Sequence, residues 1–237
     1  MSLADRVDLV EKRIQAACER SGRKREEVNV IAVTKYVSLQ TTKQAVQAGL
    51  RHLGENRWQD AKPKWEALSA SSAAEGEAPV VWHFIGSLQS KKAKDVVGKF
   101  AYIHSLDRLS LAQAIQKQAE SLGIIVPCFI QVNVSGEQSK HGLRPEEAAS
   151  FAQELNKLPG IKPVGLMTMA PFEAEPEQTR PVFRALRQLR DELNGKAILE
   201  HPLTELSMGM SNDYEVAIEE GATWVRLGTI LVGKEEE

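Results

Sequence analysis

The chain has 237 residues, with 30 Lys and Arg against 32 Asp and Glu, a net charge of -2, and 42% hydrophobic residues. That length suits one α/β barrel or two small domains, and the composition is that of a globule with an apolar core. The near-neutral balance gives no global drive toward nucleic acid or anionic membranes, although it is compatible with a local basic patch. No apolar run approaches the ~18 residues of a membrane span. The opening MSLADRVDLVEKRIQ has no apolar stretch after its charges, so it does not read as a signal peptide. Cys18 and Cys128 are too few and too distant for a disulfide framework and read as reduced, small hydrophobes. A reducing cytoplasm is the expected location.

In chain order, Ser2 to Ser21 reads as an amphipathic helix, with Leu3, Val7, Val10, Ile14 and Ala17 at three- and four-residue spacing. Asn29 to Thr34 reads as a buried strand, Thr41 to Ala48 as a helix that Gly49 can end, and His52 to Glu55 as a short strand. Trp58 to Leu68 reads as a helix. Ser69 to Pro79 is small, polar and apolar-poor, and is expected to be a mobile loop. Val80 to Ile85 is a predicted strand, Gln89 to Val97 a helix and Ala101 to His104 a strand. Asp107 is the expected cap of a helix running to about Ser121. Val126 to Val134 is a predicted strand, and Pro145 opens a helix. Val164 to Met169 (strand), Glu177 to Leu193 (helix), Glu205 to Met208 (strand), Asp213 to Glu219 (helix) and Trp224 to Leu231 (strand) complete the chain.

Eight strands with helices between them, and one extra helix in front, argue for a parallel sheet with helical crossovers. Eight units in this length predict a closed (β/α)8 TIM barrel, with an open doubly wound sheet as the rival. No linker-like segment divides the chain, so residues 1–237 read as a single domain.

In such a barrel, active groups sit where strands end on the C-terminal face. Lys35 closes the first strand, in VIAVTKY. Partial desolvation there disfavours an ammonium, and a neutral amine can attack an aldehyde to form a Schiff base. The alternative is a lysine that snorkels to solvent. Ser207-Met208-Gly209-Met210-Ser211 follows the seventh strand and opens a helix, a setting that suits an anion. It also reads as an ordinary turn capped by Ser211 or Asn212. Arg226, Gly228 and Thr229 come from WVRLGTILVG, and loops after strands 7 and 8 commonly bind phosphate in this fold. Arg226 sits in an apolar run and needs a partner, either a ligand or an ion pair with Glu205 or Glu55. Gly54-Glu55-Asn56 brings a carboxylate and an amide to the same mouth. His83, within a strand, reads as a core histidine before a catalyst. Ser139-Lys140-His141-Gly142 is a polar turn or an edge of the pocket. Met167, Met169, Met208 and Met210 are expected to line the pocket, and Glu235-Glu236-Glu237 to be solvated. No metal-ligand spacing, phosphate-binding glycine motif or serine nucleophile elbow is present in the sequence.

The motifs VIAVTKYVS, GENRWQDAKPK, HFIGSLQSKK, IQVNVSGEQSKHGL, GLMTMAP and SMGMSNDYEVAIEEGATWVRLGT occur in this order over nearly the whole chain. In them the chain resembles the pyridoxal phosphate homeostasis (YggS/PROSC-like) family, whose fold is the barrel of alanine racemase, the fold type III of pyridoxal 5′-phosphate (PLP) proteins. The resemblance implies that Lys35 forms the internal aldimine with PLP. It implies that Ser207, Met208, Gly228 and Thr229 cradle the phosphate, partly through main-chain groups. Arg226 should face the pyridine nitrogen, and Asn56 should lie near the ring. One departure is Lys91, in Leu88-Gln89-Ser90-Lys91-Lys92, where the family pattern has asparagine.

An arginine at the pyridine nitrogen keeps it unprotonated and weakens the ring as an electron sink, but related racemases work with the same arrangement, so Arg226 does not decide between carrier and enzyme. Racemases of the same class carry a second, β-rich domain, and this chain reaches LVGKEEE just after the eighth strand. Racemisation also needs two placed proton carriers, and Lys35 is the one convincing candidate. These points favour a PLP carrier or regulator, and the resemblance implies a role in vitamin B6 and amino-acid homeostasis. It would serve apo-PLP enzymes as recipients, as a monomer without nucleic-acid or membrane partners. The alternatives are a small amino-acid racemase or lyase using Lys35 as base, and a barrel that binds another phosphorylated ligand non-covalently.

Overall fold

The structure, a computed structural model, describes residues 1–75, 78–137, 141–171 and 173–235, with side chains left aside for residues 70–75. Eight parallel strands close into a barrel in sequence order: β1 (Asn29–Val33), β2 (His52–Glu55), β3 (Val81–Phe84), β4 (Tyr102–Leu106), β5 (Val126–Gln131), β6 (Ile161–Met167), β7 (Glu205–Ser207) and β8 (Trp224–Leu227). β8 closes the ring by pairing with β1, with Asn29 opposite Trp224 and Ile31 opposite Arg226. The closed barrel, not the open sheet, is the fold.

The helices are α1 (Leu3–Ser21), α2 (Leu39–Gln47), α3 (Trp58–Glu75), α4 (Ala93–Val96), α5 (Leu109–Leu122), α6 (Ala148–Leu155), α7 (Pro176–Gly195), α8 (Tyr214–Glu219) and α9 (Thr229–Val232). No helix among the described residues is long and apolar enough to cross a membrane. Period-2 alternation sends one set of strand side chains outward and the other into the barrel. The outward set, with residues such as Ala32, Leu53, Ile103 and Val225, joins the inner faces of the helices in one large core. Inside the barrel a smaller apolar cluster of Ile31, Phe129, Met167 and Trp224 shares the space with polar side chains.

α1 is the extra N-terminal helix. Ser2 and Asp5 cap it reciprocally, and Gly22 ends it in the left-handed conformation. It packs on α8 and α9, where Arg6 donates through Nε to the Leu231 carbonyl at 2.9 Å and through Nη2 to that of Val232 at 3.3 Å.

Several expectations are corrected. The run after Leu68 is not loop: residues 69–75 continue α3, because serines and alanines with no glycine or proline extend a helix readily. Asp107 does not cap α5. The cap position is Arg108, without a side-chain cap bond, and Asp107 Oδ1 accepts from Arg108 Nη1 at 2.8 Å instead. The last strand stops at Leu227, and the apolar Thr-Ile-Leu-Val that follows is the helical turn α9, whose Leu231 and Val232 are buried. β5 ends at Gln131, and Val132, just beyond it, pairs with Leu143 in an isolated bridge. Glu235 is not merely solvated: its carboxylate accepts from the Ser38 amide at 2.8 Å, from Ser38 Oγ at 2.7 Å and from Thr41 Oγ1, at the start of α2. Glu236 and Glu237 lie outside the described residues.

Candidate functional site

A cavity of about 720 Å³ opens at the C-terminal mouth of the barrel. Lys35, Asn56, Arg226, Gly228 and Thr229 all line it, so five residues singled out from separate stretches of sequence meet at one place. Lys35 follows β1 directly and is half-buried, its Nζ 4.7 Å from the centre of the exposed Tyr36 ring. Asn56 follows β2. The chain just after β3 passes so close that a Cβ on Gly86 would stand 2.4 Å from the Asn56 carbonyl oxygen, which makes glycine necessary there.

Met210, Ser211, Asn212 and Asp213 contribute the wall after β7. Gly209 begins that wall at φ 95°, and a Cβ there would fall 2.6 Å from the Ala217 Cβ. The loop thus lies flat on α8, with Asp213 Oδ1 accepting from the Met210 amide at 2.7 Å. Neither Ser211 nor Asn212 caps α8, since Asp213 holds that position without a side-chain cap bond. Thr229 is exposed to the cavity at the first turn of α9, where helix amides have no partner within the helix.

Ser207 and Met208 are placed differently. Both are fully buried, and neither lines the cavity. Ser207 Oγ sits beneath the floor, and Arg226 forms that floor. Arg226 is 4% exposed, its Nη1 donating to Ser207 Oγ at 2.7 Å and its Nη2 to the Thr168 carbonyl at 3.0 Å. Burial lowers the guanidinium from its usual range to about 10, against the opposing charge of Asp213, so it remains a cation at neutral pH. Neither ion pair offered for Arg226 forms: Glu55 Oε1 accepts from Lys64 Nζ at 2.9 Å, and Glu205 accepts from Trp224 Nε1 at 3.0 Å.

Of the methionines, Met169 and Met210 line the cavity, while Met167 packs inside the barrel and Met208 in the outer core. His141 reaches the rim, and Gly142 behind it has φ 119°. Ser139 and Lys140 lie outside the described residues. Cys18 and Cys128 are both free and buried, and burial pushes both thiols up.

Sequence reasoning missed two features. Lys64 is buried in mid-helix, and its signal, a lysine on the side of α3 that faces β2, is visible only once the register is known. The second is a file of histidines below Arg226: His104 Nδ1 lies 2.8 Å from Ser207 Oγ, His104 Nε2 3.0 Å from His83 Nδ1, and His83 Nε2 3.0 Å from His52 Nδ1.

The alanine racemase N-terminal domain family matches residues 7–236. The "Pyridoxal phosphate homeostasis protein" of Aquifex aeolicus is 44% identical over 99% of both chains, and that of Pseudomonas aeruginosa is 38% identical over 98% of this chain and 95% of its own. The chain belongs to the pyridoxal phosphate homeostasis protein family. Among solved members of similar structure, PipY of Synechococcus elongatus with PLP bound superposes with a TM-score of 0.81 at 34% identity, over 98% of this chain and all of the other. An alanine racemase from Clostridium difficile shares the fold, with a TM-score of 0.70 at 19% identity, and the match covers 98% of this chain but 58% of the racemase. Lys91, where the sequence departs from the expected motif, lies exposed in a short 3-10 turn, Ser90–Lys92, and is absent from the cavity wall.

Proposed function

We propose that the protein binds PLP in the barrel mouth, with Lys35 holding it as a Schiff base, and that its role is homeostasis of the cofactor rather than turnover of a substrate. The observation that carries this reading is the meeting of Lys35 and Arg226 in one cavity, in a family that includes a PLP-bound member.

The residues present suit such a ligand. The half-buried Lys35 amine stands at the wall, where an aldehyde carbon could reach it. PLP supplies that aldehyde, which condenses with an amine and releases water. Arg226 has five N–H donors and no acceptor, so it offers a hydrogen bond to an unprotonated pyridine nitrogen and opposes its protonation. Ser211, Thr229 and the loop amides after β7 and β8 offer donors for a phosphate dianion. Met208 and Ser207 would contribute from below, by shaping the loop. Asn56, on the same cavity wall, offers an amide to the bound cofactor.

The homeostasis reading is supported by full-length similarity to relatives that bear that name. We extend it to a monomeric, cytoplasmic carrier whose whole length, 1–237, is one PLP-binding domain and whose recipients are apo-PLP enzymes.

The test is an absorbance spectrum of purified protein incubated with PLP, before and after borohydride, followed by peptide mapping. A yellow band that is lost on reduction, with a pyridoxyl group on Lys35, is the expected result. Lys35→Ala should remove the band. A colourless protein that stays unmodified overturns the assignment. Steady exchange of solvent deuterium into the Cα of an amino acid, abolished in Lys35→Ala, would instead establish a racemase or lyase.

A further inference from the structure

Ser207, His104, His83 and His52 come from β7, β4, β3 and β2, and their side chains make an unbroken hydrogen-bonded file inside the barrel. Its upper end is Arg226 and its lower end is His52, the first residue of β2. Ser207, His104 and His83 are fully buried. The file is walled by rings: Tyr102 stacks on His83 at 4.8 Å, Phe129 stacks on His104 at 4.2 Å, and Trp224 meets His52 edge-on at 5.0 Å. These walls leave each imidazole little room to turn.

We propose that this file is a positioning device for Arg226, polarised in one direction, which fixes the guanidinium beneath the mouth with its remaining N–H groups turned toward the bound ring. The polarity follows from counting protons. Arg226 can only donate, so Ser207 Oγ accepts from it. The Ser207 hydroxyl has one proton left to give, and among the described residues its other partner is His104 Nδ1. A neutral imidazole has one N–H and one lone pair. His104 must therefore carry its proton on Nε2 and donate to His83 Nδ1. His83 in turn carries its proton on Nε2 and donates to His52 Nδ1. All three rings adopt the same tautomer. The reverse polarity would aim two donors at Ser207 Oγ and leave a buried hydroxyl proton with no acceptor, a costly arrangement.

Burial favours the neutral rings throughout, lowering His52 and holding His83 and His104 well below their usual range. The file is thus set without a ligand. Only its consequence for affinity rests on the reading of Arg226 as the group that meets the PLP ring.

The experiment is a long-range 1H–15N correlation of the imidazole nitrogens in 15N-labelled, cofactor-free protein at neutral pH, with His141 and His201 as internal references. The expected spectrum shows His52, His83 and His104 neutral and protonated on Nε2. Ser207→Ala should mix the tautomers at His104 and weaken PLP binding by about tenfold, the size of one lost hydrogen bond. Ser207→Thr should restore both. Protonation on Nδ1, or a tautomer mixture in the unaltered protein, overturns the proposal. So does a Ser207→Ala protein with unchanged imidazole signals. If Ser207→Ala fails to fold, the unaltered protein and Ser207→Thr still decide through the tautomers. Failure of the unaltered protein to bind PLP overturns the functional reading, while the imidazole spectrum still decides the file.

Discussion

Lys64 reaches two oxygen atoms under the first strand, the Thr34 carbonyl at 2.6 Å and Glu55 Oε1 at 2.9 Å. Thr34 Oγ1 donates to the same carboxylate oxygen at 2.7 Å, while Glu55 Oε2 has no hydrogen-bond partner among the described residues. Because Thr34 precedes Lys35, this buried cluster fixes the backbone from which the candidate PLP lysine projects. Lys64→Met would strand a buried carboxylate, and losing one member of a buried pair costs about 3–5 kcal/mol. Urea denaturation should show a loss of that order, and adding Glu55→Gln should recover part of it. An unchanged midpoint for Lys64→Met would refute the cluster. Lys35 and Arg226 were legible in the sequence because a charged residue at the end of an apolar run, or inside one, stands out. Lys64 was not, because a helical lysine ordinarily lies on the solvated face. Ser207 was misplaced for a related reason: a strand-end serine can face the mouth or the floor, and only the pairing register decides which.

The loop from β7 to α8 rests on one backbone choice. At Gly209 a side chain meets two obstacles, a left-handed φ of 95° and an Ala217 Cβ at 2.6 Å. At Gly22, the end of α1, φ is 68° and nothing lies within 4 Å of where a Cβ would stand, so the backbone penalty acts alone there. Alanine at Gly22 should cost about 1–2 kcal/mol, the left-handed penalty of an L-residue. Alanine at Gly209 should cost that amount and about 1–3 kcal/mol more for overpacking, and should weaken PLP binding, because the displaced loop carries Ser211. Equal losses in thermal unfolding would show that the contact with α8 relaxes freely. Helix and strand order was readable along most of the chain from period alone. Two of the exceptions have opposite causes. In α3, the small residues 69–75 resemble a loop but include no glycine or proline. In α9, β-branched residues resemble a strand, yet contact with α1 and the Arg6 guanidinium on the Leu231 and Val232 carbonyls make a helical turn the better-satisfied state.

Barrel closure is what brings His83 and His104 together with Ser207, although His104 and Ser207 stand 103 positions apart, and no local pattern announces such a meeting. Closure also sets how the whole molecule responds to acid. Burial holds both rings well below their usual value of 6.5, so the folded protein keeps them neutral where the unfolded chain takes up protons. Stability from this source is complete above about pH 6.5 and falls as the pH drops below it, by up to about 1.4 kcal/mol per pH unit for each histidine. Glu219 and Glu220 act in a lower window. Burial raises them, but hydrogen bonds from Arg180, with Arg20 for Glu219 and Arg184 for Glu220, outweigh it and hold both below 4.5. Their contribution is present above that value and disappears as the pH falls through the depressed range. Salt separates the two windows. It screens the partly exposed ion pairs but leaves the desolvation of sealed imidazoles unchanged. Urea denaturation at pH 7, 6, 5, 4 and 3 should therefore show a steep loss of stability down to pH 5 that persists at high ionic strength, followed below pH 4.5 by a loss that salt reduces. A flat profile from pH 7 to 5 would mean that the barrel interior admits protons readily, and the histidines would then have to be charged or hydrated in the folded state.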